Sequence, residues 1–197
     1  MRRDRFTGAI AGVGSTSGVR VVVGRWDESP FGSFADVMLA EPDGTRVLLA
    51  PDERVAEFVS ATYSFDRVEI ASVSVTHDWQ VTTSGLELRL GVGSRTWLGR
   101  LLRVVPGRLA TAPGWTRVTD PVARLLLRGV RTRGTAGNGR REFYGATDVH
   151  RITSLTGSWG GVDLGDLAAV APEPGFGFGS TPSVPSITSL VTTVEVS

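Results

Sequence analysis

Glycine and proline interrupt this chain so often that no long helix can be drawn through most of it. There are 25 glycines and 10 prolines among 197 residues, spread as punctuation and not gathered into a linker. Between them lie short runs rich in Val, Leu, Thr and Phe, the pattern of strands closed by turns. Residues 19–26 read as a strand. Residues 34–41 and 45–50 flank Pro42-Asp43-Gly44 and predict a β-hairpin. A strand is expected over 68–77. A second hairpin is expected at Ser84-Gly85, joining 79–83 to 86–92, where Leu86, Leu88 and Leu90 share one face and Glu87 and Arg89 the other. Residues 101–105 read as a further strand, as do 142–152 and 186–196.

Two short helices interrupt the strands. The first is expected over 52–63, with Val55, Phe58, Val59, Thr62 and Tyr63 at helical spacing and acidic residues in its first turn. The second is expected from Asp120 as N-cap, with Pro121 following, to Gly129. Leu164 to Val170 suggests one turn of helix. Together these predict a β-dominated α+β chain: one domain over 1–197, a partly open antiparallel β-barrel with two short helices, its first 17 residues flexible.

Composition matters mainly for what it excludes. All 21 basic residues are arginine, against 20 acidic residues, for a net charge of +1. Without lysine there is no side-chain amine for a Schiff base and no P-loop. Without cysteine there is no disulfide, thiolate nucleophile or cysteine-ligated zinc. The two histidines, His77 and His150, are too few for a three-histidine metal site, so no metal is expected. Gly12-Val13-Gly14-Ser15 and Gly175-Phe176-Gly177-Phe178-Gly179 do not sit between a strand and a helix, so no dinucleotide or other cofactor is expected either. No apolar run approaches the ~18–20 residues of a membrane-spanning helix. The basic start, Met1-Arg2-Arg3-Asp4-Arg5, leads into glycine and serine, not a hydrophobic core, so a cytoplasmic protein without a signal peptide is expected.

The order of elements resembles the acetoacetate-decarboxylase-like β-barrel superfamily. Phe34-Ala35-Asp36 is similar to that family's aromatic-x-Glu on a barrel strand. LAPDERVAEFVSATYSFDR, residues 49–67, resembles its strand-then-helix segment. LLRVVP, residues 101–106, resembles its apolar run closing on proline. Phe143-Tyr144-Gly145 and Leu164-Gly165-Asp166-Leu167 resemble its late aromatic-glycine and Leu-x-x-Leu pieces. The resemblance implies a barrel with an interior ligand pocket. It also implies a Schiff-base lysine, and here the chain departs: Arg95 stands near that place, and a guanidinium is no nucleophile. Ala61 falls where the helix motif has glutamate, and Asp66-Arg67 where it has proline-lysine. Of the polar centre only the hairpin carboxylate persists, as Asp36.

Asp36 is therefore the leading candidate for a ligand-positioning or acid–base group. It shares a strand face with Phe34 and Met38, and a carboxylate turned toward an apolar interior is costly unless paired. Arg25 and Arg95 are the counter-charges its strand position suggests. Trp26, Phe34, Tyr63 and Trp97 are the expected lining of a pocket for a small apolar ligand carrying a carboxylate or enol. Two alternatives stand beside this reading. One is a lysine-independent lyase or isomerase acting on a β-keto or enol substrate through Asp36. The other is binding of nucleic acid or an acidic partner through Arg124, Arg128, Arg131, Arg133, Arg140 and Arg141, although a net charge of +1 lacks the basic surplus of a nucleic-acid binder. Exposed barrel edges would favour a homodimer.

Overall fold

The computed structural model describes residues 2–104, 133–135, 141–177 and 182–196. The strands are β1 (Arg2–Ser15), β2 (Arg20–Glu28), β3 (Phe34–Ala40), β4 (Arg46–Ala50), β5 (Arg67–Ile70), β6 (Ser74–Val75), β7 (Gln80–Thr83), β8 (Leu86–Arg95), β9 (Arg133–Thr135), β10 (Arg141–Trp159), β11 (Val162–Asp163), β12 (Leu167–Ala168) and β13 (Ser186–Val196). Two helices, α1 (Glu53–Ser60) and α2 (Trp97–Val104), complete the described elements. The fold is β-dominated, as the turn punctuation demands.

One sheet runs β5-β4-β3-β2-β1-β13-β10-β8-β7-β6, with β9 and β11 added to β10 and β12 to β1. Neighbours pair antiparallel except β4 and β5, which are parallel because α1 carries the chain over between them. That crossover is tied down at its end by Arg46. It meets the Asp66 carboxylate with Nε and Nη2, both at 2.9 Å, which holds Asp66 down at about 2.

The sheet curls, and side-chain alternation shows how. Odd-numbered residues of β1 to β4, among them Ala11, Val21, Val23, Val37, Leu39 and Leu49, join Val81, Leu86, Leu88 and Leu90 of β7 and β8 in a single apolar cluster. β2 and β7 have β1, β13, β10 and β8 between them in the sheet. They can meet through side chains only if the sheet bends round into a half-barrel. The cluster fills that bend with fully buried Val and Leu.

Even-numbered residues of the same strands face the other way. Leu48 and Ala50 pack against Val55, Ala56 and Val59 of α1, so α1 roofs this second face. Its start is set by Asp52, whose carboxylate accepts the backbone N–H of Val55 at 2.9 Å. Asp52→Ala should lower the thermal midpoint by a few degrees through loss of the N-cap; scanning calorimetry checks this, and an unchanged midpoint would show that packing alone holds α1.

Several expectations need correction. Of the first 17 residues, expected to be flexible, Arg2–Ser15 forms a central strand between β2 and β13. Residues 101–105 lie largely in α2, with Thr96 Oγ1 accepting the Gly99 N–H at 3.0 Å at its start. A five-residue apolar run has too few residues to show its period. Residues 68–77 form two short strands instead of one, and 164–170 contain β12 and no helix. Of the two described helices, α1 falls within the helix expected over 52–63 and α2 was read as a strand; the helix expected from Asp120 lies outside the described residues.

Candidate functional site

A cavity of about 60 Å³ lies on the even face, between α1 and the strands β1, β2, β3, β10 and β13. At ~10–15 Å³ per water-sized sphere, it holds a group of about four to six heavy atoms. β1 supplies Phe6 and Ile10. β2 supplies Val22, Gly24 and Trp26, and β3 supplies Phe34, Asp36 and Met38. Phe58, Val59, Thr62 and Tyr63 close it from α1 and its exit, and Tyr144, Thr192 and Val194 from β10 and β13. The cavity is therefore not inside the bend of the half-barrel, which is filled, but on the opposite side of the same strands.

Six of its lining residues are aromatic, interleaved with the aliphatic Ile10, Val22, Met38, Val59 and Val194. Phe6 is their hub, with ring centroids 5.0 Å from Phe58, 5.7 Å from Trp26 and 6.5 Å from Phe34. The Tyr63 and Tyr144 hydroxyls are hydrogen-bonded at 2.6 Å, linking the exit of α1 to β10. The Thr192 hydroxyl is buried and has no hydrogen-bond partner among the described residues. A buried, unsatisfied hydroxyl is costly, and a ligand or water in the cavity would relieve it.

Among the described residues Asp36 is the one acidic side chain of the lining, and 5% of its surface is exposed. It accepts the Trp26 indole N–H at 3.0 Å, and no arginine or histidine lines the cavity among the described residues. Burial pushes its carboxyl up to about 6, against the downward pull of the Trp26 hydrogen bond. A carboxylate left without a counter-charge behaves this way because burial disfavours its ionised form.

Gly24 makes the arrangement sterically feasible. It pairs with Asp36 across β2 and β3, and a Cβ there would come within 2.5 Å of Asp36 Oδ1 and 2.8 Å of Trp26 Nε1. The hydrogen-bonded pair thus folds over a residue that has no side chain. Gly24→Ala should break the Trp26–Asp36 bond and destabilise the protein by about 1–3 kcal/mol, as overpacking does. The Trp26 indole N–H resonance and a urea titration check the two effects separately; an unmoved resonance would contradict the packing described.

Of the residues singled out from sequence, Asp36, Trp26, Phe34 and Tyr63 line this one cavity. Three others lie elsewhere. Arg25 is not a counter-charge to Asp36: it points to the odd face, 4.9 Å over the Trp79 ring, and donates to Thr76 O at 3.2 Å. Arg95 is engaged with Asp148, its Nε 2.8 and 2.9 Å from the two carboxylate oxygens. Trp97 is 59% exposed on α2. Adjacent strand residues point to opposite faces, so Arg25 and Trp26 cannot both face Asp36.

The other features fall outside the cavity. His150 Nε2 lies 3.6 Å from Asp148, beside Arg95, and among the described residues no acidic or histidine cluster could hold a metal. Within the arginine-rich stretch, Arg124, Arg128, Arg131 and Arg140 lie outside the described residues, while Arg133 and Arg141 begin β9 and β10. No described helix is long and apolar enough to cross a membrane.

No family model matches the chain, and no curated protein matches it. Among solved structures, a crystal structure of a Nitrosomonas europaea protein provisionally named AttH aligns with 98% of this chain and 51% of its own. The identity is 10% and the TM-score 0.27. The chain thus spans about half the length of that protein, and likeness at this level leaves fold and site to be read from the residues themselves.

Proposed function

We propose that the protein binds a small, largely apolar molecule in the cavity beneath α1, with Asp36 holding the ligand's single polar group. The observation that supports this most is the coincidence, in one cavity, of an aromatic wall with a buried carboxylate whose only described partner is an indole N–H. Apolar pockets with a few convergent polar groups are the usual form of small-molecule sites. Asp36 also stands where the acetoacetate-decarboxylase-like resemblance retains its hairpin carboxylate, which makes a divergent, lysine-free relative of that group part of the proposal. Of the two ligand groups expected from sequence, an enol suits this site better than a carboxylate, because an ionised Asp36 accepts hydrogen bonds and repels an anion.

The test is a titration with alcohols, ketones and amines of four to six heavy atoms, followed through the Trp26 indole N–H resonance. Saturable shifts are expected. The best tiny ligands gain about 1.5 kcal/mol per heavy atom, so dissociation constants should fall between micromolar and millimolar. Absence of any saturable shift across the series would overturn the proposal.

A second reading is favoured by one observation. A buried carboxyl at about 6 is poised near neutrality, where general acid–base catalysis is most effective. If Asp36 is the base of a lyase or isomerase acting on a β-keto or enol substrate, Asp36→Asn will abolish turnover; an unchanged rate would remove it from the reaction.

A further inference from the structure

We infer that the ligand taken up beneath α1 is a small organic cation, an ammonium or quaternary ammonium carrying apolar substituents, with its charge held between Asp36 and the surrounding aromatic faces. The inference rests on the binding reading above and narrows it to one chemical class.

Charge balance carries the argument. The cavity contains one carboxylate and, among the described residues, no arginine or histidine, in a chain that has no lysine. Asp36 is almost completely buried, with the Trp26 N–H as its described partner. The two arginines that the sequence suggested as its balance are committed elsewhere: Arg25 on the opposite face of β2, Arg95 on Asp148. Among the described residues this buried anion is uncompensated, the costly half of an ion pair, and the half it lacks there is a cation small enough for about 60 Å³.

The walls agree with this. Phe6, Trp26, Phe34, Phe58, Tyr63 and Tyr144 contribute rings to the lining. Aromatic rings present negative π faces, and such groupings, with or without a carboxylate, are how proteins hold alkylammonium groups that are weakly hydrated. The carboxylate adds long-range attraction that in a low-dielectric cavity is much stronger than in water. Its desolvation is already incurred by the empty protein, so a cation entering bears only its own. An anion meets the same field with opposite sign.

Isobutylammonium, isobutanol and isobutyrate provide the test, since they share a branched apolar body of about the right size and differ in charge. Each is titrated into the full chain, with the Trp26 indole N–H resonance as the readout, and again into Asp36→Asn, whose amide oxygen can still accept the Trp26 N–H. Isobutylammonium is expected to bind at least tenfold tighter than isobutanol, and isobutyrate least. Asp36→Asn should remove the cation's advantage, bringing isobutylammonium to the affinity that isobutanol has for the same variant. If isobutanol binds the native protein as tightly as isobutylammonium, the cation inference is wrong and the apolar cavity stands. A preference for isobutyrate overturns it too. If none of the three shifts the resonance, the binding reading fails with it. Because the native charge series decides the question alone, an Asp36→Asn protein that does not fold leaves the test intact.

Discussion

Replacing Asp36 by asparagine is expected to stabilise the protein near neutral pH and to lose that advantage in acid. Folding raises the Asp36 carboxyl from the ordinary 3.8 to about 6 through burial. The folded state therefore holds a proton that the unfolded state has released between those two values. The sign follows directly: wild-type stability attributable to this group is highest below about pH 4 and is lost as pH rises to about 6, after which the loss is complete. At about 1.4 kcal/mol per pKa unit, the stability of Asp36→Asn relative to wild type should rise by about 2–3 kcal/mol between about pH 4 and pH 7. Urea unfolding of both proteins across that interval measures it. The difference cancels the other carboxylates, such as Asp52 and Asp66, whose hydrogen bonds hold them below the usual range. A difference that does not change with pH would mean that Asp36 is solvated or already paired with a cation. A residue that weakens the protein at neutrality is one whose presence calls for a reason other than folding.

Phe6→Ala should have the largest effect of any single truncation on the cavity face. Phe6 is 3% exposed and its ring meets Trp26, Phe31, Phe34 and Phe58. It stands on β1, which links β2 to β13, so neighbours on both sides would lose contacts that backbone relaxation cannot restore. Buried Phe-to-Ala changes cost about 3–5 kcal/mol, roughly a fifth or more of the stability of a typical domain. The denaturation midpoint should fall accordingly, with Phe6→Leu intermediate. The same substitution enlarges the cavity, so the variant should accept longer apolar ligands than the native protein. A loss below about 1 kcal/mol would mean that the aromatic cluster is loosely packed and that Phe6 is not its hub.

The strands that frame the cavity from the middle of the chain were legible because their alternation is plain. Phe34, Asp36 and Met38 can be placed on one face by counting, and Pro42-Asp43-Gly44 marks the turn that follows; the Gly44 N–H donates to Glu41 O there. What counting could not show was which face would be filled. Phe6 and Ile10 went unnoticed because β1 is covered on both sides. Its inward residues are small (Ala9, Ala11), and Gly8 and Gly12 flank them, so the run shows neither alternation nor β-branched enrichment. Thr192 and Tyr144 come from strands more than a hundred residues away from Asp36, brought beside it by pairings that no local pattern encodes. Arg25 was misassigned for a simpler reason: charge complementarity suggested it, and strand parity forbids it.

Because β1, β2 and β3 spend their odd residues on the filled bend and their even residues on the cavity, the protein keeps two separable ledgers on the same backbone. Substitutions at Ile10, Val22, Phe34 or Met38 can reshape what the site accepts while Val21, Val23, Val37 and Leu39 go on holding the sheet together. That permits divergence of ligand preference by point mutation with little collateral damage. Insertion or deletion of one residue within these strands has the opposite consequence, since it exchanges the two roles along everything that follows. Lineages descended from such a chain should therefore vary freely in side-chain identity on one parity while conserving strand length to the residue.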